Sequence, residues 1–216
     1  VDHLEKGPIV IASGKAARLV DIHGKDYLDA MGGLWCVNIG YGREEMVEAI
    51  TAQAKQMAFY HMFFSMSHEP AIRLADKLLQ IMPKQMSKVF FCNSGSEAND
   101  TQVKIVWYYN NLRGKPEKKK IISRQGAYHG VTVVAASMTG LPPLHKSFNL
   151  PLEGFLHTSS PHHYWHAPAG MSERDFSKKL AQDLDDMIMA EGPETVAAFI
   201  AEPVMGAGGV IVPPEG

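Results

Sequence analysis

At 216 residues the chain has room for one generous domain or about one and a half ordinary ones. A hydrophobic share of 45%, a charged share of 20% and a net charge of −2 are those of a globular protein. That balance gives no electrostatic pull toward nucleic acid or an anionic membrane.

No stretch approaches the ~20 apolar residues of a membrane span. The opening Val1-Asp2-His3-Leu4-Glu5-Lys6 lacks the charged-then-apolar order of a signal peptide. Two cysteines, Cys36 and Cys92, are too few for a disulfide framework or a four-ligand zinc site, so a reduced, cytoplasmic setting is expected.

In chain order, residues 18–29 alternate around His23-Gly24-Lys25 and predict a hairpin. Met46, Ile50, Ala54 and Met57 form a helical stripe over Glu44 to Met57. A second helix opens at Pro70, repeats Ala71, Ala75, Leu78, Leu79 and Met82, and stops at Pro83. Val89 to Cys92 reads as a buried strand leading into a turn and a helix that runs to about Asn111. Lys118-Lys119-Lys120 reads as a solvated turn, and Ile121-Ile122-Ser123 as a strand. Residues 141–171, rich in proline, histidine and aromatics, read as a long irregular connection of the kind that often carries function. A third long helix starts at Ser172, with Phe176, Leu180, Leu184, Met187 and Ile188 on one face, and ends near Gly192-Pro193. Val196 to Ala201 has the nearly all-apolar run of a strand buried on both sides. Such alternation predicts an α/β fold with a mostly parallel sheet. There is no internal repeat.

Four stretches have the make-up of a site. In Asn93-Ser94-Gly95-Ser96-Glu97-Ala98, the Ser94/Glu97 pair fits a capping box. A helix start turns free backbone amides outward, with the positive end of the helix dipole behind them. Gly95 lets a ligand come close, and the Ser96 hydroxyl adds a donor, which together suit a phosphate. A plain capped helix would look the same. In Gly126-Ala127-Tyr128-His129-Gly130, Tyr128 can present its face to a planar ring or can simply be a buried turn aromatic. Glu202 ends an apolar strand ahead of Pro203-Val204-Met205-Gly206-Ala207-Gly208-Gly209, and the carboxyl ends of such strands are where open α/β sheets bind ligands. A solvated strand-end acid is the alternative. Trp35, beside Gly32-Gly33, reads as a pocket wall or a core residue, and Phe59-Tyr60-His61-Met62-Phe63-Phe64 as lining or packing. His157, His162, His163 and His166 lack the spacing of zinc ligands, and no metal is expected.

In this order, Asn93 to Ala98, Tyr128-His129-Gly130, and Glu202-Pro203 with Gly206-Ala207-Gly208-Gly209 strongly resemble the class III aminotransferases, pyridoxal-phosphate enzymes of the aspartate-aminotransferase fold. Gly33-Leu34-Trp35-Cys36-Val37-Asn38-Ile39-Gly40-Tyr41-Gly42 is similar to their ω-amino acid and amine:pyruvate transaminase subgroup. The resemblance implies that Gly95 and Ser96 bind the phosphate of pyridoxal 5'-phosphate. It implies that Tyr128 stacks on the pyridine ring with His129 beside it, and that Glu202 joins the network near the ring nitrogen. Trp35 and Ala207 would line the substrate pocket, while Phe63 would reach the pocket of the neighbouring subunit of a homodimer. Met205 departs from the glutamine more usual there. Residues 1–68 would contribute to the small domain and the pocket wall, and residues 69–216 would begin the large, cofactor-binding domain.

The aspartate facing the pyridine nitrogen and the lysine forming the Schiff base are expected beyond Gly216. The chain therefore reads as the N-terminal part of a longer protein, inactive alone. The implied reaction moves an amino group from an ω-amino acid or amine to a keto acid such as pyruvate. An aminomutase, decarboxylase or epimerase on the same scaffold, and a non-catalytic truncated chain, are the alternatives.

Overall fold

In a computed structural model that describes residues 2–216, packing divides the chain into two units, Val1–Val89 and Phe90–Gly216. The first begins with helix α1 (Asp2–Lys6) and an antiparallel sheet of β1 (Ile11–Lys15), β2 (Arg18–Asp21) and β3 (Asp26–Leu28), in the order β1-β2-β3. The expected hairpin is present as β2 and β3, paired Arg18↔Leu28 and Leu19↔Tyr27. Its turn is closed by Asp21, whose carboxylate accepts the amides of His23 and Lys25 and the Tyr27 hydroxyl, each at 2.9 Å. β1 was not foreseen, because Ser13 and Gly14 interrupt its apolar pattern. Gly14 is needed where the Tyr41 ring crosses the strand: a Cβ there would lie 2.8 Å from Tyr41 Cγ.

A four-residue turn, α2 (Gly32–Trp35), precedes helices α3 (Glu44–Met57) and α4 (Glu69–Ile81). Both long helices fall where the apolar spacing predicts. Pro70 sits in the first turn of α4, capped by His68 Nδ1, which accepts the Ala71 amide at 3.3 Å. By packing, α4 falls in the first unit.

The second unit contains α5 (Gly95–Leu112), β4 (Lys120–Arg124), α6 (Val133–Met138), β5 (Phe155–Thr158), α7 (His163–His166), α8 (Glu173–Glu191) and β6 (Val196–Phe199). Its sheet is parallel, in the order β5-β4-β6. Ile121 and Phe155 meet Val103, Ala135 and Met138 in the core, so α5 and α6 cover one face.

Three expectations need correction. Val89 to Cys92 forms no strand: both edges of β4 are taken, and no described strand pairs with it. Residues 141–171 are not wholly irregular, since Phe155-Leu156-His157-Thr158 forms β5, a strand too short and too polar at its end to signal itself. The lysine run is not a solvated turn. Lys120 begins β4, its ammonium bonded at 2.8 Å to both the backbone and the carboxylate of Glu191. Lys118 Nζ reaches the Pro193 carbonyl at 2.7 Å. Two cations thus sit on the carbonyl end of α8, where a helix dipole favours positive charge.

Candidate functional site

The start of α5 is capped in both directions. The Glu97 amide donates to Ser94 Oγ at 3.2 Å, and the Asn93 amide to Glu97 Oε2 at 2.9 Å. As the first residues of the helix, Gly95 and Ser96 have amides with no intrahelical acceptor. A Cβ built on Gly95 would meet nothing within 4 Å.

The loop after β4 lies directly against this helix start. The Val131 amide donates to Ser96 Oγ at 3.0 Å, which leaves the Ser96 proton to donate elsewhere. Asn99 Nδ2 holds the His129 carbonyl at 2.7 Å. Asp100 Oδ1 accepts from Thr132 Oγ1 at 2.8 Å and from the Ala135 amide at 3.0 Å. The approach is possible because residue 130 is glycine at φ +127, where a Cβ would lie 2.5 Å from Ser96 Oγ. Ser94, Gly95, Ser96, Asn99, Tyr128, His129 and Gly130 line a cavity of about 370 Å³.

Glu202 joins this loop to the one after β6. Its carboxylate accepts the Tyr128 amide at 2.9 Å and the Gly206 amide at 2.8 Å, and its carbonyl accepts from Arg124 Nη2. Gly208 packs so tightly on Gly126 that a Cβ would lie 2.3 Å from the Gly126 carbonyl oxygen. Ala207 is exposed at the tip of the turn. Met205 is wholly buried against Ala127 and Ile211, so the loop is anchored by apolar packing.

His129 is buried, and burial pushes its imidazole below the ordinary 6.5; Arg124 and His157 push the same way, while Glu202 opposes them. Its Nε2 has no hydrogen-bond partner among the described residues, nor do the buried Arg124 Nε and Thr158 Oγ1. Unsatisfied buried polar atoms are uncommon and call for a partner. An open amide pair, a glycine whose Cβ would project into open space, and an orphaned imidazole nitrogen beside a half-exposed tyrosine fit a phosphorylated, planar, polar ligand.

The structure thus brings Gly95, Ser96, Tyr128, His129 and Glu202 together. Asn99 and Arg124 were missed by sequence reasoning. Asn99 lies one turn beyond Ser96 on the same helix face, a spacing that could have flagged it. Trp35 and Phe63 belong to the first unit, and both side chains are exposed there. Among the described residues no three His, Cys, Asp or Glu side chains are grouped to hold a metal. His157 and His163 bond the Thr139 and Met171 carbonyls, and His162 stacks on Trp165. No described helix is long and apolar enough to cross a membrane.

The family model for aminotransferase class-III matches residues 2–216. The diaminobutyrate–2-oxoglutarate transaminase of Halomonas elongata is 52% identical over 209 residues, covering 96% of this chain and 45% of that protein. The chloroplastic gamma aminobutyrate transaminase 3 of Solanum lycopersicum is 52% identical over 208 residues, 96% of this chain and 40% of that protein. The crystal structure of the omega transaminase from Pseudomonas jessenii in complex with PMP matches with a TM-score of 0.96 at 55% identity, over 99% of this chain and 47% of that one. The chain therefore spans just under half the length of these relatives.

Proposed function

This chain belongs to the class III aminotransferases, and from that premise we propose that the whole protein transfers an amino group from an ω-amino acid or amine to a keto acid such as pyruvate. The observation that carries the proposal is the cavity shared by the open start of α5 and the Tyr128-His129-Gly130 loop. Two relatives are named for diaminobutyrate and gamma-aminobutyrate, both of which carry ω-amino groups.

When bound, pyridoxal 5'-phosphate supplies an electron sink for bond breaking at the donor carbon. The chain's own residues do the holding. The Gly95 and Ser96 amides and the Ser96 hydroxyl grip the phosphate with charge-assisted hydrogen bonds. Tyr128 offers an aromatic face, and His129 stays neutral beside it. Glu202 fixes the Tyr128 backbone, so the aromatic face holds its direction. Trp35 and Ala207 line the substrate pocket, and Phe63 reaches the pocket of the neighbouring subunit in a homodimer.

Residues 1–68 belong to the small domain and residues 69–216 to the large one on this reading. The unpaired Cys36 and Cys92 suit a cytoplasmic protein. The test uses the full-length protein with pyridoxal phosphate, a primary amine and pyruvate. Alanine formation that is weakened at least tenfold by Ser96→Ala supports the reading. No alanine from any ω-amino donor overturns it.

A further inference from the structure

Gly32, Gly33, Leu34 and Trp35 all have positive φ, at 55, 62, 59 and 66°. They form one left-handed turn, closed by bonds from the Trp35 amide to the Met31 carbonyl at 2.8 Å and from the Cys36 amide to the Gly32 carbonyl at 3.0 Å. The glycines adopt this conformation freely; Leu34 and Trp35 bring a Cβ too close to the following carbonyl. Strained backbone of this kind persists only where its surroundings over-determine it.

Trp35 itself is 56% exposed in this chain, and the bonds that hold its turn are polar. The restraint lies at Asp29. One carboxylate oxygen accepts both the Gly33 amide and the Tyr41 hydroxyl, each at 2.7 Å, and the other accepts the Met31 amide at 3.1 Å. Tyr41 is anchored in turn. It exchanges two backbone bonds with Ala16 and lays its ring across Gly14. Gly33 is pressed against the same group, since a Cβ there would lie 2.9 Å from Tyr41 Oη and 2.5 Å from Val37 Cγ2. The Tyr41 hydroxyl, then the Gly33 amide, hold the Asp29 carboxyl below its ordinary 3.8, so it stays charged and accepting.

We infer that Asp29 is a positioning residue: with Tyr41 it locks the left-handed turn that presents Trp35, and so sets how strictly the enzyme distinguishes bulky from small amines. The inference rests on the reading of Trp35 as pocket wall. In the full-length holoenzyme with pyruvate, kcat and KM are measured for an arylalkyl primary amine and for isopropylamine. The variants are Asp29→Asn, Tyr41→Phe, Trp35→Ala and the Tyr41→Phe/Trp35→Ala pair.

Tyr41→Phe removes a single hydroxyl, and keeps the question answerable if Asp29→Asn does not fold. Both clamp variants are expected to shift the bulky-to-small ratio of kcat/KM at least threefold, in the direction of Trp35→Ala and chiefly through KM. The double variant should match Trp35→Ala alone. A ratio that moves with Trp35→Ala but not with either clamp variant overturns the inference and leaves the pocket reading intact. A ratio unmoved by Trp35→Ala removes the pocket reading, and the inference with it.

Discussion

Tyr128 and Glu202 lie 74 residues apart in the chain, yet the Tyr128 amide donates to Glu202 Oε1 at 2.9 Å. The other carboxylate oxygen takes the Gly206 amide at 2.8 Å. One side chain thereby closes the loops after two neighbouring parallel strands, at the sheet edge where α/β proteins bind ligands. The same bond fixes the backbone from which the Tyr128 ring projects.

Removing that carboxylate should be felt in both fold and binding. Glu202→Ala leaves two amides to find water, at a cost of about 1–3 kcal/mol. Glu202→Gln keeps one acceptor but sets its amide nitrogen against the other N–H, and should fall between Ala and the native residue. Urea midpoints rank the three forms, and pyridoxal phosphate titrations should rank their affinities in the same order. Equal midpoints would mean that Glu202 closes nothing.

Two glycines of the site should respond in opposite ways. Gly95 has ordinary helical φ and an open Cβ direction, so Gly95→Ala should leave stability within about 1 kcal/mol of the native value. Its methyl would enter the cavity, and pyridoxal phosphate affinity should drop at least tenfold. Gly130→Ala meets φ +127 and the Ser96 side chain, so it should lose about 1–3 kcal/mol from backbone strain alone. Thermal melts with and without the ligand separate the two cases.

Much of this site was legible because its grip is local. Ser94 and Glu97 announce a helix start whatever surrounds them, and the glycines at 95, 126, 130, 206 and 208 mark where backbone must be approached. The α3 and α4 stripes were legible for the same reason. Arg124 acts on Glu202, 78 residues further on, and no spacing reveals that; Asn99 shares a helix face with Ser96, but its partner, the His129 carbonyl, is not written in the spacing. β1 and β5 carry glycine, serine or histidine where a strand pattern needs apolar residues. Val89 to Cys92 shows the converse: an apolar run is a strand only when a neighbour pairs with it. The left-handed turn is signalled by Gly32-Gly33, but nothing in Leu34 or Trp35 says that it continues through them.

Acid should loosen the second unit before its carboxylates titrate. Burial lowers both His129 and His157 below the ordinary 6.5. Between the folded and unfolded values the unfolded chain binds protons that the native one does not, so stability rises with pH through that window. It should be fully present above about pH 6.5 and decline as the pH falls below it. Urea midpoints at pH 7.5, 6.5 and 5.5 give the slope, which His157→Gln should flatten while its amide still bonds the Thr139 carbonyl. A midpoint that holds or rises toward pH 5.5 would contradict the burial argument.

Met205 offers a test of how the glycine-rich loop is held. Its side chain is fully buried, with Cε 3.3 Å from the Cβ position of Gly126, and its backbone pairs with Ile211. Met205→Gln is close in length, yet it buries an amide among Ala127 and Ile211. A buried amide without partners costs about 1–3 kcal/mol on mutational scales, so the variant should be destabilised by roughly that amount. Met205→Leu, which keeps the apolar contact, should lose less than about 1.5 kcal/mol. If glutamine proves as stable as methionine, the amide has found a partner, and the loop is held by polar contacts after all.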